Sequence, residues 1–509
     1  MTDQTTHFDE GAAPVSTAPR SEVADTGADT GADTKAGAMP RRDVMIIAVL
    51  LVSTFVVILN ETIMSVALPV LKDDLHVDFS QVQWLTSGFL LTMAVVIPVT
   101  GFLIRRMRSR VLFVLAMSLF SAGTLIAALA PAFEVLLVAR VVQASGTAIM
   151  MPLLMTTVMT LVPVQRRGAV MGNIGTVISV APAIGPALSG LVLNYFGWRA
   201  IFLLVLPIAL AALVFGIKQM IDVGEPEYVR VDPISVVLSA LGFGSLVYGL
   251  SSFGHVGDAG GVPGWVPIVG GLVVLVAFVG RQFQLQRTDS ALLDLRTFRS
   301  GGFTVTSVLM MLMMTTLFGA IILLPIYMQT VMGLSTQTSG LLLLPGGLIM
   351  GLLGPFVGRL YDRFGARPLL VPGMIATSLS LWSTTLFTSQ TGVALLLTFH
   401  ILLSIGLAFV FTPLFTSGLG SVEPRFYSYG SAIFGTTQQL AGAAGVALLV
   451  SIMSARSATV AATGAPVVEA TVAGIHSAFL VAAILSLVGI VGAFFVTTPA
   501  QPEGAPAGH

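Results

Sequence analysis

Residues 44–71 read VMIIAVLLVSTFVVILNETIMSVALPVL, and Glu61 is the one charged side chain among them. At 1.5 Å per residue such a run outspans the ~30 Å hydrocarbon core of a bilayer, so the stretch is predicted to be a membrane-spanning helix. Apolar runs of similar length recur over 81–104, 111–131, 133–161, 168–195, 199–221, 234–253, 264–283, 303–330, 337–358, 367–388, 392–416, 430–454 and 472–497. Fourteen spans are therefore expected, in an all-α polytopic membrane protein. Composition agrees, because 55% of the 509 residues are apolar and only 9% are charged, against about 25% charged in soluble domains. So few charges cannot coat a chain of this size against water, and lipid must be its main solvent.

Outside the spans, residues 1–43 are rich in Ala, Thr, Gly and acid and repeat Gly-Ala-Asp-Thr from Gly27, which reads as a disordered tail. It is not a secretory signal, since the pair Arg41-Arg42 follows it and the next apolar run is too long for one. Residues 499–509 form a second short tail. A net charge of zero leaves no basic stripe for nucleic acid. The chain has no cysteine and its six histidines lie far apart, so no metal site, cofactor or metalloenzyme chemistry is expected. None of Lys35, Lys72 and Lys218 follows glycine as a nucleotide-binding P-loop requires, which argues against ATP as the fuel.

Lys and Arg set orientation. Sixteen of them lie in loops that follow even-numbered spans, from Arg105 and Arg106 to Arg425, whereas only Lys72, Arg199 and Arg456 follow odd-numbered ones. Both termini are expected in the cytoplasm. An internal echo suggests duplication: Gly101-Phe-Leu-Ile-Arg-Arg106 ends span 2 and Gly358-Arg-Leu-Tyr-Asp-Arg363 ends span 10. The copies sit eight spans apart, so a six-span unit needs two extra helices between the halves. Spans 7 and 8 are the natural pair, giving 6 + 2 + 6, with bundles at 44–221 and 301–498 and the inserted segment at 222–300.

In these features the chain resembles the major facilitator superfamily, and specifically its 14-helix drug:proton antiporter branch, over about residues 44–498. Leu59-Asn-Glu-Thr-Ile-Met-Ser-Val-Ala-Leu-Pro69 is similar to that branch's helix-1 motif, with Asn60 in the slot usually held by Asp. Arg140-Val-Val-Gln-Ala-Ser-Gly146 resembles the helix-4 motif. Gly175 and the run Ala181-Pro-Ala-Ile-Gly-Pro-Ala-Leu-Ser-Gly190, with Pro182, Gly185 and Pro186, resemble the antiporter motif of helix 5. Trp198-Arg199-Ala-Ile-Phe202 and Leu292-Leu-Asp-Leu-Arg296 are also similar to this branch. The family's acidic gating loop is intact only at Gly358, Asp362 and Arg363. In the copy at Gly101 and Arg106 the acid's position is Arg105. The resemblance implies a proton-coupled exporter of lipophilic drugs or antibiotics in a bacterial cytoplasmic membrane, functional as a monomer.

Glu61 is expected deep inside span 1, where a charge costs at least ~2.5–3.5 kcal/mol unless paired or wet. It is the candidate proton carrier; the alternatives are a static ion pair with Arg140 or a place at an aqueous vestibule. Arg140 cannot lose its proton and needs an acceptor, either Glu61 or backbone carbonyls. Trp84, Gln143, Asn173, Tyr327, Gln329, Gln438 and Gln439 could line a central cavity, or could serve singly as interhelical contacts or interface anchors. His400 is either a second protonation site or a satisfied core group. Met310, Met311, Met313 and Met314 suit soft packing or a promiscuous ligand. Rival readings are export of an endogenous metabolite or lipid, and a membrane sensor that transports nothing.

Overall fold

The computed structural model describes residues 39–223, 226, 232–252 and 263–497. The expected tails at 1–43 (as far as residue 38) and 499–509, and most of the glycine-rich stretch after span 7, lie outside these residues.

Among the described residues, fourteen helices are long and apolar enough to cross a membrane. They are α1 Arg41–Leu75, α2 Phe79–Arg106, α3 Ser109–Leu129, α4 Phe133–Leu161, α5 Arg167–Phe196, α6 Arg199–Gln219, α7 Pro233–Ser252, α8 Trp265–Leu285, α9 Gly301–Ile326, α10 Thr336–Phe364, α11 Arg367–Ser383, α12 Val393–Gly420, α13 Tyr427–Ala461 and α14 Val467–Ala493. Each expected span has its helix. The α3–α4 break falls at Ala130-Pro131-Ala132. Pro131 has no amide to give and pushes Ala130 to φ −60, ψ 120, out of helical geometry. Proline inside α5, at Pro182 and Pro186, does not interrupt that helix. Membrane helices tolerate such residues because neighbouring groups take up the freed carbonyls. After Pro325 the chain closes α9 with a π turn, Tyr327–Val331.

Helices α1–α6 pack among themselves, and α9–α14 do the same. The two groups meet along two seams. In one, α5 lies antiparallel along α10; in the other, α2 meets α13. The inserted pair α7–α8 packs together, and α7 rests on both α2 and α13, with Tyr248 stacked on Trp84 at 5.7 Å. This is the expected 6 + 2 + 6 arrangement.

Polar clusters tie the helix ends. The Trp198 indole donates to Asp74 at 2.7 Å, and Arg199 bonds both Asp74 and the Ala130 carbonyl, which joins α1, α6 and the α3–α4 turn. The Trp198 bond, with Arg199 beside it, holds the Asp74 carboxyl below its ordinary range. Ahead of α7, Asp232 accepts from Ser235 and, twice at 3.0 Å, from Arg281 of α8. The Arg281 bonds do most to push its pKa down to about 2.

Candidate functional site

Glu61 stands twenty residues into the 35-residue α1. It is half-buried, and among the described residues nothing hydrogen-bonds its carboxylate. Asn60 beside it is turned into the bundle, fully buried, with neither side-chain polar atom satisfied. Across from α1, Arg140 of α4 is also fully buried. Its Nε donates to the Leu85 carbonyl at 3.3 Å, its Nη1 donates to Gln143 Oε1 at 2.6 Å, and the guanidinium lies 4.1 Å from the centre of the Phe89 ring. Gln143 passes the chain on to Thr124 at 2.8 Å, whose hydroxyl ends on the Phe120 carbonyl at 2.7 Å.

Arg140 therefore draws its direct acceptors from Gln143 and Leu85. Among the described residues no ion pair joins it to Glu61, although its charge is near enough to attract the carboxylate electrostatically. An acid in mid-span, without a hydrogen bond among the described residues and within the field of a fixed cation, has the ingredients of an exchangeable site: it can bind or lose a proton without breaking a bond to protein.

The helix-5 motif is brought against this site. Gly185 faces Thr62, next to Glu61, so closely that a methyl group there would collide with the Thr62 hydroxyl and meet its Cβ at 3.0 Å. A methyl group at Gly175 would lie 3.3 Å from the Thr412 hydroxyl of α12, whereas Gly190 has open space around it. The motif is thus split between a close contact and a free surface.

The seam between α5 and α10 is built from backbone. Gly168 lies on Gly358 and Gly172 on Gly354, so that a side chain at any of the four would strike the opposite carbonyl. Thr176 donates to the Gly351 carbonyl at 2.7 Å, and Gly347 meets Ala183. At the end of this seam Asp362 accepts from the amides of Gly168 and Ala169, at 2.7 and 2.8 Å. Those amides belong to the first turn of α5 and have no partner within the helix, so the carboxylate caps α5 across the bundle boundary. Arg363 lies over Phe364 at 5.2 Å, and Arg106 is exposed in the last turn of α2. Gly101, the counterpart of Gly358, approaches Ser428 of α13, whose carbonyl would lie 3.2 Å from an added methyl. Gly168, Gly172, Gly347, Gly351 and Gly354 escaped the sequence reading, although their three- and four-residue spacings within each helix are a recognisable close-packing signal.

Several expected cavity residues are committed elsewhere. Gln143 is sealed inside the α1–α6 bundle by its bonds to Arg140 and Thr124, and Trp84 faces α7. Tyr327 is buried and donates to the Thr388 carbonyl at 2.7 Å, against Phe387. His400 Nε2 meets the Leu343 carbonyl at 2.9 Å, while its Nδ1 is buried without a partner. Asn173 and Gln329 are exposed on their helices, and Gln438 is half-buried. Gln439 lies across the seam from Met93, its amide 3.5 Å from the sulfur. A small apolar cavity lies instead between α5, α9, α10 and α12, lined by Met171, Ile178, Met314, Met350, Phe411 and Phe415, with Ser179 and Thr412 the polar groups. Met314 brings the methionine patch of α9 into it, whereas Met311 is exposed.

Comparison with known proteins places this architecture. The profile of the Major Facilitator Superfamily matches residues 50–446. The chain belongs to the Major Facilitator Superfamily. Among its relatives in that superfamily are the lincomycin resistance protein LmrB of Bacillus subtilis, 38% identical over 88% of this chain and 94% of that one, and the uncharacterized MFS-type transporter YcnB of the same organism, 40% identical over 91% and 97%. A multidrug resistance protein B homolog of Mycobacterium tuberculosis is 28% identical over 86% of this chain and 81% of its own length. The fold is shared with the human organic anion transporter MFSD10, at a TM-score of 0.66, 14% identity and coverage of 89% of this chain and all of that one. The superfamily consists of membrane carriers, and this member is a multi-pass membrane transporter.

Proposed function

We propose that this transporter exports lipophilic drugs or antibiotics from the bacterial cytoplasm in exchange for protons, with Glu61 as the proton carrier. The single observation that carries the reading is the Glu61 carboxylate in the middle of α1, without a hydrogen bond among the described residues, with Arg140 held nearby by other partners. The relatives named for lincomycin and multidrug resistance support the substrate class.

The coupling runs through packed groups. Glu61 adjoins Thr62, Thr62 touches Gly185 of α5, and α5 is one half of the glycine seam. Neutralising Glu61 removes its attraction to Arg140, changes the field around α1 and alters how α1 seats on α5. Either bundle can then tilt about the other, which moves a midplane site from one face of the membrane to the other. Asn60 and the free Nη2 of Arg140, both buried without partners, are places for water that would carry the proton. With a monovalent cationic drug, one-for-one exchange moves no net charge, so the pH gradient alone drives it.

Liposomes holding the full-length protein and given an imposed pH step test this. Each pH unit supplies about 1.4 kcal/mol, enough for about tenfold accumulation of a neutral solute. Glu61→Gln should abolish uphill movement while preserving downhill exchange of substrate. A Glu61→Gln protein that inserts normally and still concentrates drug would overturn the assignment. Export of an endogenous metabolite or lipid is separated by screening cell extract for a solute whose flux exceeds that of any drug.

A further inference from the structure

The loops after α2 and α10 are copies in sequence, yet they close the same end of the molecule by different chemistry. After α10, an acid caps the first amides of α5. After α2, the equivalent position is Arg105, which donates hydrogen bonds and cannot accept them from amides. Arg105 instead donates to the Tyr429 hydroxyl in the first turn of α13 and lies 5.0 Å from the centre of that ring. Tyr429 in turn donates to the Ala291 carbonyl at 3.2 Å. Ala291 belongs to neither six-helix bundle; it lies in the linker between α8 and α9.

This linker is held rigidly from the side of the inserted helices. Gln282, fully buried at the end of α8, accepts from the amides of Leu292 and Leu293 at 2.8 and 3.2 Å and donates to Ser235 of α7 at 2.9 Å. Ser235 rests on Asp232, and Asp232 on Arg281. Farther along, Asp294 accepts from the backbone and guanidinium of Arg296, which also pairs with Asp289 and lies 5.6 Å from the Phe426 ring, just ahead of α13. A continuous set of bonds thus runs from α7 and α8 through the linker to Tyr429 and on to α2.

We propose that the α7–α8 pair and its linker form the clasp of the α2/α13 seam, supplying through Ala291 and the linker acids the acceptor end that position 105 lacks. The inserted helices then take part in gating. Gln282 and Tyr429 are positioning residues, acting through the linker and through Arg105. The proposal rests on the alternating-access reading above and deepens it.

The chain has no cysteine, so a single Ser428→Cys, buried against Gly101, reports opening of this seam by its rate of maleimide labelling in liposomes. Tyr429→Phe removes one oxygen and should speed labelling about threefold or more, and Gln282→Leu should do the same. Adding Arg105→Asp to Tyr429→Phe should slow it again, because an acid there can cap α13 as Asp362 caps α5. Asp362→Asn, which weakens the other seam, shows that the reporter responds to gating. Unchanged labelling in the Tyr429 and Gln282 variants, with Asp362→Asn faster, would sink the clasp and leave alternating access standing. Unchanged labelling in all three would sink both.

Discussion

Asp232 shows at the scale of one residue how the inserted helices are fastened. Its carboxyl titrates near 4 in the unfolded chain and at about 2 in the folded one, because Arg281 and Ser235 hold the ionised form. The stabilisation is fully present above the unfolded value and is lost as pH falls through the folded one. At about 1.4 kcal/mol per unit it amounts to roughly 2 kcal/mol. Asp232→Asn should therefore melt lower than the parent by a steady margin between pH 5 and 8, and the margin should shrink towards pH 2. A margin that grew on acidification would contradict the assignment. Much of the central site was legible at this scale: an intramembrane acid and an intramembrane arginine announce themselves against an apolar background. Their bonding was not. Gln143 stands three residues after Arg140, on the same helical face, which is the signal that it serves the guanidinium rather than a cavity. Tyr327 and His400 bond to backbone carbonyls of distant segments, and no local pattern encodes such partners.

At the scale of elements, the seam of α5 and α10 matters most. Four glycines bring two backbones together, so a methyl at Gly354 must push on the carbonyl of Gly172. Overpacking of this kind costs about 1–3 kcal/mol. It is charged only to the state in which the seam is shut, so Gly354→Ala should shift the resting population towards opening at this end. Labelling of a single cysteine at Ala169 would report this as a rise of about fivefold or more. Gly190→Ala, with open space around it, should leave that rate unchanged. Helix boundaries were readable because apolar runs end at charge, glycine or proline. The pairing of helices was not, since periodicity says that a face is small without saying which other small face it meets.

For the whole molecule, fourteen spans and the bias of Lys and Arg towards loops after even-numbered helices imply that Lys72 and Arg287 lie on opposite sides of the membrane. In intact cells an impermeant maleimide should label Lys72→Cys and spare Arg287→Cys until the membrane is breached; the reverse pattern would invert the molecule. The copied loops after α2 and α10 also betrayed the duplication, but the use made of the inserted pair emerged only in three dimensions, through Gln282 and Ala291.

The two seams respond to different solvents. Along α5 and α10 the contact is mostly backbone, and its one carboxylate, Asp362, bonds amides rather than an exposed cation. The α2/α13 side depends in part on Arg296 and Asp289, the latter 70% exposed, across distances that counterions reach. The Debye length shrinks from about 10 Å at 0.1 M salt to about 3 Å at 1 M. Concentrated electrolyte should hence quicken labelling at Ser428→Cys more than at Ala169→Cys, so that ionic strength acts first on one edge of the transporter.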